Sequence, residues 1–165
     1  FPRSAKSIPL SPPLAALLGA PAGDIAPTDL MRLLLAAPVD LLWFGGIGAY
    51  VKATHESHAE VADKANDALR INGAEVRAKV IAEGANLALT QAGRIEFALK
   101  GGRINTDAID NSAGVASSDR EVNIKILLAE AMRAGALAAE EREALLASMT
   151  DEVAALVLED NYAQT

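Results

Sequence analysis

Three short apolar runs, each followed by a helix-like pattern, limit the folds open to this chain. The runs are VDLLWF at 39–44, VRAKVIAEG at 76–84 and RINTDAI at 103–109. The first stops at a glycine-rich turn, as expected of a strand buried on both faces. Strands that alternate with helices form parallel sheets with right-handed crossovers. The sequence therefore predicts an α/β fold with a parallel sheet of about three strands.

The segments around these runs predict the helices. Short helices are expected near 14–18 and 29–36, and a longer one across 54–73 that begins with a capping box of Ser57 and Glu60. Further helices are expected in ANLALTQAGRIEFALKGG, in SSDREVNIKILLAEAMRAG and in the last thirty residues, where Thr150 is a second helix start.

This order of elements resembles half of a known architecture. A doubly wound dinucleotide-binding domain has about six strands built as two halves. The chain is therefore expected to form an incomplete doubly wound, Rossmann-like parallel sheet with flanking helices and a helical C-terminal segment. We expect the C-terminal half of such a domain at 1–135, and a helical segment leading towards the next domain at 136–165.

Charge and composition exclude several classes of function. A net charge of -7 repels nucleic-acid phosphates and anionic lipid surfaces, so neither nucleic acid nor a membrane is an expected partner. The apolar stretch 33–51 contains Pro38, Asp40 and three glycines, which favours a protein core over a membrane span. The chain has no Cys, which excludes disulfides and thiolate catalysis and suits a cytoplasmic location. Because it begins with Phe1, we expect it to be part of a longer protein.

Two motifs have a plain structural interpretation. The GGIG turn could approach a pyrophosphate, but from Gly46 it reads G-x-G-x-x-V and lacks the acidic strand end about twenty residues later. We therefore interpret it as a turn at the carboxyl end of a strand. His55 and His58 form H-E-x-H, one residue short of the zinc pattern H-E-x-x-H, so solvated histidines are expected and no metal.

The segment IDNSAGVASSDREVNIK allows two interpretations. Ser118 and Glu121 have the S-x-x-E spacing of a capping box, which predicts that they close the first turn of a helix. The same geometry also offers free N–H groups and a hydroxyl to an anionic carboxylate. The residues alone leave both interpretations open.

Three motifs in fixed order resemble one enzyme family. WFGGIGAYVK, AEGANLALTQ and DNSAGVASSDREVNIKILL resemble segments of the very large bacterial NAD-specific glutamate dehydrogenases. The resemblance implies oxidative deamination of L-glutamate to 2-oxoglutarate and ammonia, with NAD as cofactor. It also implies that the chain works with the remainder of a parent chain, in a homo-oligomer.

The resemblance also implies roles for individual residues. Asn86 would lie near the nicotinamide end of NAD, and Asn111 near the nicotinamide amide and the reacting carbon of the substrate. Ser118 would hold the side-chain carboxylate of glutamate, and Gly45 and Gly46 would lie beside the nicotinamide ribose. The motifs that carry the family's catalytic lysine and aspartate are not found, so no catalytic acid or base is assigned. This chain has NSAGV where smaller relatives have NAGGV, and Ala88 where they often have Pro.

Two other functions remain as alternatives. The first is a dehydrogenase for leucine, valine or phenylalanine, against which Ser118 argues, because a carboxylate-binding hydroxyl has little use in an apolar pocket. The second is a noncatalytic regulatory or assembly module, for which helix caps and glycine turns would suffice. Activity of the parent chain separates the two classes.

Overall fold

The computed structural model describes Phe1 and residues 5–165 of the chain. Residues 2–4, which belong to the N-terminal motif FPRSAKSIPLS, lie outside the described part. The chain divides into two compact units, Phe1–Asn105 and Thr106–Thr165.

The first unit contains the strands. Its elements in chain order are β1 (Ile8–Leu10), α1 (Pro12–Leu18), β2 (Gly23–Ile25), α2 (Pro27–Leu35), β3 (Leu41–Phe44), β4 (Val51–Lys52), α3 (His58–Val61), β5 (Ile71–Asn72), β6 (Val80–Glu83), α4 (Gln91–Leu99) and β7 (Arg103–Ile104).

The central sheet is parallel and has the strand order β3-β6-β7. Leu41 pairs with Val80, which in turn pairs with Arg103 on the next strand. The predicted α/β fold with a three-stranded parallel sheet is therefore confirmed, although β6 and β7 are shorter than the apolar runs suggested. A buried cluster that includes Ile81 and Phe97 joins this sheet to α4 and to the neighbouring strands.

One prediction about β3 is wrong. The strand is not buried on both faces, because Leu41 is 53% exposed and Trp43 is 57% exposed. β3 is an edge strand of the described sheet, and β1 and β2 form a separate antiparallel ribbon instead of pairing with it. Its apolar side chains therefore form a surface that another polypeptide segment could cover.

We expect the isolated chain to self-associate through the β3 edge at about 50 micromolar, because unpaired apolar strand edges associate in this concentration range. A Leu41→Lys substitution should shift the chain towards the monomer in light scattering, since a charged side chain on an edge strand opposes edge pairing. Leu99→Lys is the matched control, because Leu99 is 84% exposed at the end of α4. An unsubstituted chain that is monomeric at this concentration would contradict this expectation.

The segment 54–73 also differs from its predicted form. Its capping box is confirmed, because Glu60 N–H binds Ser57 Oγ while the Glu60 carboxylate accepts from Ser57 N–H. The helix is nevertheless only α3, and it ends at Ala62, whose φ of 58° lies in the left-handed region. A 3-10 turn and β5 follow where a continuous helix was predicted.

β5 pairs in parallel with β4. Lys52 lies buried in this pair, and its ammonium group donates to Asn72 Oδ1 at 2.6 Å and to Ala53 O at 3.1 Å. Lys52 thus stabilises the β4–β5 pair from within the protein.

The second unit is helical. It consists of α5 (Asp107–Asp110), α6 (Ser112–Arg133), α7 (Ala139–Ser148) and α8 (Thr150–Gln164). The predicted helix start at Thr150 is confirmed. Asn161 Nδ2 donates to the buried Ser112 Oγ at 2.7 Å, which ties α8 to the first turn of α6. Within the described part of the chain, no helix combines the length and the apolarity needed to cross a membrane.

Candidate functional site

The loops that follow β3 and β6 lie side by side at the carboxyl edge of the central sheet. Phe44, the last residue of β3, accepts hydrogen bonds from Gly84 N–H at 2.9 Å and from Ala85 N–H at 3.1 Å. The carboxyl ends of parallel strands are the edge where open α/β sheets bind ligands. The fold therefore brings the GGIG turn and the EGAN loop together at a suitable edge.

The glycines of these loops leave room for other groups. A Cβ atom at Gly84 would overlap the Trp43 indole, and one at Gly45 would lie 3.3 Å from Trp43 Nε1. A Cβ atom at Gly46 would meet no heavy atom within 4 Å. Gly45 and Gly84 thus accommodate the indole, while the backbone at Gly46 is open to a ligand.

A cavity of about 520 Å³ lies beside these loops. Asn86 contributes a carboxamide to it, and Ile47 and Leu87 contribute side chains that are 83% and 68% exposed. Its complete lining is Ile47, Gly48, Ala49, Val61, Ala62, Asp63, Asn86, Leu87, Leu89 and Thr90. Apolar walls with a few polar groups are typical of ligand sites, and this cavity contains one of the predicted cofactor residues.

Two charged residues hold the GGIG turn in place. Asp63 Oδ2 accepts from Asn66 Nδ2 at 2.6 Å and from Ala49 N–H at 2.8 Å, and these bonds keep the pKa of Asp63 below its usual value. Arg70 is 2% exposed and donates from Nε to Ala49 O at 2.7 Å. Sequence reasoning missed both residues, because it assigned this segment to one continuous helix.

A buried ion pair organises the EGAN loop. Glu83 ends β6 and is 0% exposed, and its Oε1 accepts from Ala88 N–H at 3.0 Å and from Leu89 N–H at 3.3 Å. Arg94 of α4 forms an ion pair with the Glu83 carboxylate, and its Nη1 also donates to Asn105 O at 2.8 Å. One carboxylate therefore links a strand end, the following loop and a helix.

Asn111 lies in the second unit, at the junction of α5 and α6. The backbone carbonyl oxygen of Asn111 accepts hydrogen bonds from Gly114 N–H and Val115 N–H, both at 2.9 Å. A Cβ atom at Gly114 would overlap Asn111 Oδ1, so the carboxamide lies directly against this glycine. Gly114 thus allows Asn111 its present side-chain position.

The structure contradicts the prediction that Ser118 and Glu121 begin a helix. α6 already begins at Ser112, so Ser118 lies inside the helix, and it is exposed. Seven residues make almost two helical turns, which places Ser118 on the same side of α6 as Asn111, about 10 Å along the axis. Its hydroxyl is therefore not required to cap the helix.

The other two motifs, GGIG and H-E-x-H, both lie in the first unit. The GGIG turn leads into the strand β4 and so does not open a helix, as a phosphate-binding turn would. His55 and His58 are both exposed, and His58 is the first residue of α3. Among the residues described, no group of three His, Cys, Asp or Glu side chains could hold a metal ion.

A cavity of about 630 Å³ lies at the opposite, amino-terminal edge of the sheet. Its cations are largely engaged: Lys79 pairs with Asp40 at 2.7 Å, and Arg77 Nε donates to Ala36 O at 2.7 Å. Parallel sheets bind ligands at their carboxyl ends, so the cavity beside Asn86 is the better candidate site.

Comparisons with known proteins all point to one enzyme family. The family model described as the catalytic domain of bacterial NAD-glutamate dehydrogenase matches residues 1–165. The NAD-specific glutamate dehydrogenases of Pseudomonas aeruginosa and Halomonas elongata are 58% and 56% identical over the whole of this chain. The Mycobacterium tuberculosis protein of the same name is 57% identical over 99% of it. The chain spans about 10% of the length of each of these relatives.

Proposed function

The chain belongs to the catalytic-domain family of bacterial NAD-glutamate dehydrogenases, and from this membership we propose that it is a working segment of such an enzyme. The reaction is the oxidation of L-glutamate with NAD and water to 2-oxoglutarate, ammonia and NADH. In this proposal, residues 1–135 form the C-terminal half of the dinucleotide-binding domain.

The observation that carries the proposal is the meeting of the GGIG and EGAN loops at the carboxyl edge of the sheet. The two loops came from separate motifs of the sequence, and hydrogen bonds from Gly84 and Ala85 to Phe44 O join them. Three of the cofactor residues inferred from the resemblance, Gly45, Gly46 and Asn86, therefore lie close together in the first unit, while the fourth, Asn111, belongs to the second unit.

The residues at this edge fit the nicotinamide end of NAD. The open backbone at Gly46 allows a ribose to approach closely, because no side chain intervenes. Ile47 and Leu87 offer apolar surface to a flat ring, and Asn86 offers amide donors and an acceptor to a carboxamide. NAD, when bound, supplies the acceptor for the hydride. The chain's own residues orient the cofactor and exclude water.

The second unit contributes the substrate side of the proposal. Asn111 would lie near the nicotinamide amide and the reacting carbon, and Ser118 would donate its hydroxyl to the side-chain carboxylate of glutamate. Asn111 and Ser118 lie on the same side of α6, which supports this pairing. Ser118 lies inside the helix and does not cap it. The catalytic acid and base would come from other segments of the parent chain, which would form a homo-oligomer in the cytoplasm.

We expect Asn86→Ala in the parent enzyme to raise the KM for NAD about fivefold and to leave the KM for glutamate nearly unchanged. The loss of one ordinary hydrogen bond, worth about 1 kcal/mol, has this effect on affinity. Steady-state kinetics with each substrate varied in turn would measure it. Gln91→Ala is the matched control, because Gln91 is an exposed carboxamide outside the cavity. Equal NAD kinetics in the two variants would remove Asn86 from the cofactor site.

A further inference from the structure

The EGAN loop is held at both of its ends. Ala85 N–H binds Phe44 O on one side, and Ala88 N–H binds the Glu83 carboxylate on the other. Asn86 and Leu87 are the two residues between these anchors. The position of the Asn86 carboxamide therefore depends on where the two anchors hold the backbone.

The backbone between the anchors is not relaxed. Leu87 has a φ of 63°, in the left-handed region that residues other than Gly rarely adopt. Such conformations persist when surrounding interactions over-determine them, and they are concentrated at ligand-binding segments. Here, the Glu83 carboxylate accepts the N–H groups of the next two residues, Ala88 and Leu89.

We propose that Glu83 and Arg94 are positioning residues, which fix the EGAN loop and thereby orient the Asn86 carboxamide towards the cofactor. This inference rests on the proposed function. Glu83 supplies the loop anchor, and Arg94 forms the buried ion pair with its carboxylate, so that neither side chain is buried without a partner. Arg94 also fixes its own guanidinium by donating to Asn105 O beyond β7.

If the Glu83–Arg94 pair served stability alone, a different result would be expected. Well-packed apolar side chains often replace a buried ion pair with no loss of stability. Such a replacement would, however, remove the acceptor for the two loop N–H groups. Stability and loop position can therefore be separated by changing both partners together.

The test compares two double variants of the parent enzyme. Glu83→Gln/Arg94→Met removes both charges but keeps a carbonyl oxygen for Ala88 and Leu89 N–H. Glu83→Met/Arg94→Met removes the charges and the oxygen. We expect the first to keep the KM for NAD within twofold of the unsubstituted enzyme. The second should raise it at least fivefold, with kcat at saturating NAD and the KM for glutamate nearly unchanged.

Amide hydrogen exchange gives a second readout. The Ala88 and Leu89 amides should stay protected in the variant with glutamine and exchange faster in the variant with two methionines. Equal NAD kinetics and equal protection in two folded double variants would overturn the proposal. If the variant with two methionines does not accumulate, amide exchange in the variant with glutamine still decides, because fast exchange at Ala88 and Leu89 with normal NAD kinetics would overturn the proposal. A fivefold rise in its KM for NAD, at an unchanged melting temperature, would show that the carbonyl anchor is not sufficient.

Asn86→Ala, measured alongside, separates this inference from the proposed function. A raised KM for NAD in Asn86→Ala, together with normal kinetics in both double variants, contradicts only the positioning role. Unchanged NAD kinetics in Asn86→Ala contradicts the cofactor role of the loop itself. In that case, amide exchange at Ala88 and Leu89 still shows whether Glu83 anchors the backbone.

Discussion

Gly114→Ala in the parent enzyme is expected to lower kcat/KM for glutamate oxidation about 100-fold without lowering the melting temperature. The added Cβ atom would overlap Asn111 Oδ1, so the Asn111 carboxamide must move. A displacement of about 1 Å at a reacting centre can reduce the rate by this factor. The helix itself is not weakened, because Ala is a better helix former than Gly. Steady-state kinetics and thermal melting of the same preparation measure both effects.

A double-mutant cycle tests whether Asn111 transmits this effect. Gly114→Ala should have little further effect in an Asn111→Ala background, because the displaced carboxamide is already absent. If the two substitutions instead multiply their effects on kcat/KM, then Gly114 acts by a route that does not pass through Asn111.

Ser118→Asp is expected to raise the KM for glutamate at least tenfold, with a much smaller change for NAD. A second carboxylate beside the substrate carboxylate adds like-charge repulsion in a partly desolvated site, and a tenfold change corresponds to about 1.4 kcal/mol. Stability should change little, because Ser118 is exposed and lies inside α6, not at its cap. Initial rates over a range of glutamate concentrations, together with thermal melting, are the required measurements.

Ala129→Asp is the matched control for this substitution. It adds the same charge to an exposed position of the same helix, about 16 Å further along the axis. Its KM for glutamate should remain near that of the unsubstituted enzyme. A Ser118→Asp enzyme with the kinetics of this control would indicate that glutamate does not contact Ser118.

Local patterns predicted the sheet and most helices, but they failed where distant contacts decide the structure. The run 39–44 resembles a fully buried strand, yet Leu41 and Trp43 are exposed, because they share one face of β3 that the described part of the chain leaves uncovered. The helical periodicity of 54–73 ends at Ala62 because Arg70 is buried, where it binds the carbonyl oxygens of Ala49 and Asp63. No local signal marks these long-range bonds.

The candidate site was predictable only in part. The resemblance supplied Gly45, Gly46 and Asn86, which the structure places at one edge of the sheet, while their roles stay predictions. The S-x-x-E spacing at Ser118 was misleading, because the same spacing occurs inside any helix. Glu83 was overlooked, since charged residues are usually solvated. Its signal was present as a carboxylate that ends an apolar strand and precedes a glycine.

Trp43, which packs against Gly45 and Gly84, is an intrinsic fluorescence probe of this part of the chain. Trp43 is the single tryptophan of the sequence, so the indole fluorescence of the chain arises from one position at the carboxyl edge of the sheet. The indole is 57% exposed, and its emission wavelength therefore depends on whether water or another polypeptide covers that edge. Self-association of the isolated chain through that edge can thus be followed as a spectral shift, with no added label.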